Sequence, residues 1–112
     1  MPQKKYKIEY LPAADRDLAE IFTYIAVDLA APQAAVNLLK KMERAVKSLS
    51  TFPYAHSVYQ SAELRTAPFE FRALVVVSYL VFYYVTENTV TIARVVYGRR
   101  DMQNVLDEFA WK

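Results

Sequence analysis

The sequence predicts an α+β domain with an antiparallel sheet, and three observations carry that expectation. Apolar residues recur at helical spacing in two successive segments between residues 11 and 49. Three strand-like segments, rich in valine, tyrosine and phenylalanine, follow between residues 69 and 97. The chain has 112 residues, which suits one domain spanning 1–112 and leaves little for a second. Helices grouped before strands argue against the strict alternation of a doubly wound sheet.

The elements follow in order. Tyr6-Lys7-Ile8-Glu9-Tyr10 alternates large and charged residues and reads as a half-buried strand. Pro12 suits the first turn of a helix, where its missing N–H costs nothing. Leu11, Ala14, Leu18, Ile21, Phe22 and Ile25 then draw one apolar stripe, and the acidic residues early in this helix favour its positive end. Ala30-Ala31-Pro32 breaks the pattern, and Pro32 opens a second helix. Its stripe is Ala35, Leu38, Leu39, Met42, Ala45, Val46 and Leu49. So short a connection makes the two helices an antiparallel hairpin.

Residues 51 to 68 hold Pro53 and Pro68 and no sustained period, so they read as a loop with a short extended piece around Ser61 to Arg65. Strands are expected at about Phe69 to Val76, Tyr79 to Thr86 and Thr89 to Tyr97, the last two joined by a tight turn at Glu87-Asn88. Gly98 ends the last strand. Asp101 then caps a short C-terminal helix carrying Val105, Leu106 and Phe109. Periodicity leaves the pairing partner of the first strand open. Tyr79 to Val85 is apolar or aromatic on both alternating faces, unlike a half-solvated strand. The helical hairpin covers one face; the C-terminal helix or a partner protein must cover the other.

Composition excludes several classes of function. The chain is 54% hydrophobic, which is ample for a core, and it contains no cysteine, so disulfides, thiolate ligands and cysteine nucleophiles are ruled out together. His56 is the only histidine and reads as a loop packing or surface residue, not a metal ligand or acid–base catalyst. One glycine cannot build a phosphate-cradling loop. The carboxylates of the first helix are expected on its solvent side. No metal and no cofactor is implied. The basic N-terminus has no apolar signal core behind it. The longest apolar run, Ala73 to Val85, falls short of the roughly 18 residues a membrane span needs. A cytoplasmic protein with no membrane partner is expected.

Net charge is only +2, but its distribution is uneven. Asp15, Asp17, Glu20 and Asp28 face a lone Arg16 in the first helical segment, whereas Lys40, Lys41, Arg44 and Lys47 face a lone Glu43 in the second. Arg94, Arg99 and Arg100 add a basic C-terminal cluster. Such patches steer molecules toward phosphate or toward acidic protein surfaces, and more commonly are solvated faces.

Four strings in order resemble the RelE/ParE toxin superfamily. They are Ala14 to Ile25, Leu49 to Pro53, Phe71 to Val85, and Ile92 to Asp101, which together span nearly the whole chain. The resemblance implies a small α+β toxin of a type II toxin–antitoxin pair, of the kind associated with plasmid stabilisation. It also implies neutralisation by a small cognate antitoxin in a hetero-oligomer. RelE-like members are ribosome-dependent mRNA endonucleases, with ribosome and mRNA as partners; ParE-like members inhibit DNA gyrase. By the same resemblance, the RelE catalytic arginine falls on Leu80, its lysine pair on Arg72 and Leu74, and its C-terminal tyrosine near Leu106. Leucine can neither stabilise a developing phosphorane charge nor move a proton. The ParE-like reading is therefore preferred, with target-binding candidates Arg94, Tyr97, Arg99 and Arg100. Were the chain an RNase, its catalytic candidates would be Arg72, Arg94, Tyr97, Arg99 and Arg100. Tyr97 stands where many relatives carry histidine.

Overall fold

Two prolines set the helical hairpin. In the computed structural model, which describes residues 5–59 and 67–98, helix α1 (Pro12–Thr23) and helix α2 (Pro32–Ser48) each begin on a proline. The expected strand precedes them as β1 (Lys7–Tyr10). Between the helices, α1 widens into a π-helical turn at Tyr24–Asp28, where the Leu29 N–H donates to the Tyr24 carbonyl at 2.9 Å. Ala30, at φ 52, then reverses the chain into α2.

The three later strands are β2 (Arg72–Val76), β3 (Tyr79–Val85) and β4 (Thr89–Tyr97). The sheet order is β1-β4-β3-β2. β2, β3 and β4 form the expected antiparallel segment, and the open question of β1 is answered by parallel pairing with β4, from Lys7 opposite Thr89 to Tyr10 opposite Ile92. β1 is short, so β4 runs on past it. Beyond Ile92 the free edge of β4 meets α1, beginning with a 2.9 Å hydrogen bond from the Leu11 N–H to the Ile92 carbonyl.

Both faces of β3 are buried, which explains its unbroken apolar sequence. Ala14 of α1 and Met42 and Val46 of α2 pack on Val81, Tyr83, Ile92 and Val95. The Tyr83 hydroxyl, fully enclosed, donates to the Pro53 carbonyl at 2.8 Å. On the opposite face Phe71, Phe82, Ala93 and Val96 form a second buried cluster. Tyr59 sets its ring edge-on to Phe82 at 5.0 Å, and Phe69 stacks on Tyr84 at 3.9 Å. The segment between α2 and β2 therefore helps cover the face that the hairpin leaves. Phe69 and Phe71 serve that packing, and β2 starts at Arg72 rather than near Phe69. The expected C-terminal helix with Val105, Leu106 and Phe109, and the extended piece around Ser61 to Arg65, lie outside the described residues. Among the described residues, no helix is long and apolar enough to cross a membrane.

The β2–β3 turn places Val77 at φ 56 with its side chain 63% exposed. A β-branched residue in the left-handed region costs roughly 1–2 kcal/mol. Asparagine tolerates that conformation and gives up no buried contact. Val77→Asn is therefore expected to raise stability by about 1 kcal/mol, or roughly 4–8 °C in thermal melting. An unchanged or lower midpoint would remove the case for strain at this turn.

Candidate functional site

Arg94 lies beside the bulge of β4, where the register against β3 slips between Phe82 and Tyr83. Its guanidinium grips Asp17 of α1 with two donors, Nε to Oδ2 at 2.8 Å and a terminal nitrogen to Oδ1 at 3.0 Å. The Val95 N–H adds a third bond to Oδ2 at 2.9 Å. The two side chains are only 14% and 12% exposed. Asp17 thus satisfies the Val95 N–H on the free edge of β4 and ties α1 to it. This corrects the expectation that every carboxylate of the first helix faces solvent. Glu20 and Asp15 are indeed exposed, but Asp17 is drawn inward by a cation 77 positions away.

Arg72 is held elsewhere. A terminal guanidinium nitrogen donates to the His56 carbonyl at 2.7 Å, and its plane sits 5.0 Å from the centre of the Tyr54 ring. It ties the 53–56 loop to the first residue of β2. His56 packs its ring edge-on to Tyr83 at 6.4 Å, a packing role consistent with its place in the sequence. Tyr97 lies at the far end of the sheet, opposite Tyr79, whereas Arg72 is opposite Tyr83. Four strand residues separate those two rows, roughly 13 Å. The structure therefore does not bring Arg72 and Tyr97 together, whereas Arg94 grips Asp17, which lines the same groove as Tyr97. Leu74 is buried in the core and Leu80 is half-buried on the face away from the hairpin. Arg99, Arg100 and Leu106 lie outside the described residues.

A groove that the sequence did not disclose opens around Tyr97. It measures about 620 Å³ and runs between the π-helical turn and the ends of β3 and β4. Its rim is apolar and exposed: Tyr24 and Leu29 are each 54% accessible and Tyr97 is 51%. Tyr79 forms the floor, its ring 5.2 Å from that of Tyr97 at 69°. Burial, and then the neighbouring phenols of Tyr97 and Tyr24, push the Tyr79 phenol above its ordinary value. The wider π turn aims Tyr24 and Leu29 at this groove, and such turns recur at functional sites. The only sequence signal was the tyrosine abundance itself, since neither spacing nor period brings residues 24, 79 and 97 together. Among the described residues, no group of three or more histidine or acidic side chains is placed to hold a metal ion.

A family model described as the ParE toxin of type II toxin–antitoxin system, parDE, matches residues 8–102. Among solved structures the chain is similar to the chromosomal ParDE toxin–antitoxin system from P. aeruginosa, with a TM-score of 0.67 and 18% identity over 84% of this chain and 97% of that one. It is also similar to a RelBE toxin–antitoxin complex from Mycobacterium tuberculosis, with a TM-score of 0.58 and 20% identity over 86% of this chain and 94% of that one. At such identities the two structures speak for the fold. No curated protein is similar to the chain in sequence.

Proposed function

The chain belongs to the ParE toxin family of type II toxin–antitoxin systems, and from that premise we propose that it arrests growth by binding DNA gyrase unless a cognate antitoxin covers it. The reading is of a protein-binding poison acting in the cytoplasm. The observation that carries it is the fate of the groups an RNA-cleaving relative would need. Leu80 and Leu74 offer no proton or charge. Arg72 and Arg94 are engaged inside the fold, with the His56 carbonyl and with Asp17. A guanidinium already committed to a mostly buried carboxylate is a poor clamp for a scissile phosphate. Both similar structures are of toxin–antitoxin systems, which supports an antitoxin as partner of this chain.

Brief expression without antitoxin tests the reading. The expected result is growth arrest with a DNA damage response that precedes any loss of mRNA, and rescue by the short neighbouring reading frame. Purified protein is expected to block supercoiling by gyrase and to leave mRNA on translating ribosomes intact. Codon-positioned cuts in ribosome-bound mRNA, with supercoiling untouched, would replace this reading with that of a ribosome-dependent endoribonuclease.

A further inference from the structure

We propose that the groove beneath the π-helical turn receives an arginine side chain of the antitoxin, flanked by apolar residues. This rests on the reading of the chain as an antitoxin-neutralised toxin. Among the described residues, the lining contributes two carboxylates, Asp17 and Glu20, and no lysine or arginine. The charge of Asp17 is matched by Arg94. Glu20 is exposed and has no ion-pair partner among the described residues, so the described lining carries one negative charge more than it matches.

Tyr24, Tyr79 and Tyr97 border the same space. Aromatic faces are electron-rich and attract cations. A guanidinium suits this setting better than an ammonium: it is planar, weakly hydrated, able to stack on a ring while its edge donates twice to a carboxylate. The volume of about 620 Å³ exceeds what one guanidinium fills. The remainder is bordered by the apolar Ile25 and Leu29, which suit aliphatic neighbours of the arginine on an amphipathic segment. A groove with an acidic patch, aromatic rim and apolar end is complementary to a basic, apolar peptide and repels an acidic one.

Two measurements test this. In the first, acetyl-arginine amide and its uncharged citrulline counterpart are titrated into the full-length toxin while tyrosine ring resonances are followed. Saturable shifts at Tyr24, Tyr79 and Tyr97 are expected with the arginine probe alone, and Glu20→Gln should abolish them. In the second, the toxin is paired with the antitoxin encoded beside it. Glu20→Lys is expected to leave the melting temperature unchanged and to weaken binding about tenfold or more, the size of a lost charge-assisted contact. One antitoxin arginine, replaced by glutamine, should then show no further loss when combined with Glu20→Gln.

Equal shifts from citrulline, or wild-type antitoxin affinity in both Glu20 variants, would overturn the proposal. So would coupling of Glu20 to Arg99 or Arg100 of the chain itself, or to a second copy, in place of the antitoxin. Absence of growth arrest would instead strike the toxin reading, and the probe titration would still judge the groove.

Discussion

Asp17→Ala is expected to cost about 3–5 kcal/mol of folding stability, the usual penalty for removing one partner of a buried ion pair. The substitution removes the carboxylate that the Arg94 guanidinium, 14% exposed, grips with two donors, and leaves the Val95 N–H without its acceptor. It also removes the polar tie between α1 and the stretch of β4 that β1 does not reach, leaving the apolar packing there. Small domains have only about 5–15 kcal/mol in total, so this single change should bring the protein near unfolding at ordinary temperature. Urea titration of the purified variant provides the measurement. Asp17→Asn should lie between wild type and alanine, since an amide still offers one acceptor to Val95. Replacing the pair together, Asp17→Leu with Arg94→Met, should recover much of the loss because no unpaired charge stays behind. A loss below about 1 kcal/mol for Asp17→Ala would mean the pair behaves as a surface salt bridge despite its burial.

That pair bears directly on how toxicity data are read. Arg94→Ala removes a guanidinium that holds the fold, so lost toxicity in that variant reports on folding before it reports on any target. Arg72 carries the same warning to a smaller degree, through the His56 carbonyl and the Tyr54 ring. Basic residues that look alike in the sequence thus divide by what they touch.

The helices, the three later strands and the hairpin turn were legible because each depends on neighbours within a few residues. Leu38, Met42, Val46 and Leu49 recur at helical spacing, and both prolines mark helix starts. Asp17 and Arg94 were not legible as a pair. Asp17 shares its helix with Asp15 and Glu20, and nothing local separates the inward carboxylate from the outward ones. The parallel match of β1 with β4 was hidden for the same reason, being set by how α1 leaves one strand and returns along the edge of the other. The π turn at Tyr24–Asp28 has no spacing signature, and the groove depends on it. Apolar residues on both faces of β3 correctly signalled a two-sided burial. They left open what covers the second face, which is supplied in part by Tyr59 and Phe69 from an aperiodic segment.

Replacing Arg99 and Arg100 together with alanine is expected to abolish growth arrest while leaving the fold intact. These two follow Gly98, which sits at φ 51 and donates its N–H to the Ser78 carbonyl at 2.6 Å, closing β4 against the start of β3. Among the described residues, the last strand has ended by that point. With Arg72 and Arg94 engaged internally, Arg99 and Arg100 are the two arginine candidates left for an acidic surface on the proposed target. If they are only a solvated pair, their loss changes stability by about 0.5 kcal/mol at most and changes nothing else. The double variant should therefore melt with wild-type protein, fail to inhibit supercoiling in vitro, and permit growth when expressed without antitoxin. Antitoxin affinity separates two causes of that loss. An affinity like wild type assigns the pair to the target, whereas a parallel fall would assign it to a surface that antitoxin and target share. Full growth arrest by the double variant would sink the assignment, and a lowered melting point would return both arginines to the same structural role as Arg94.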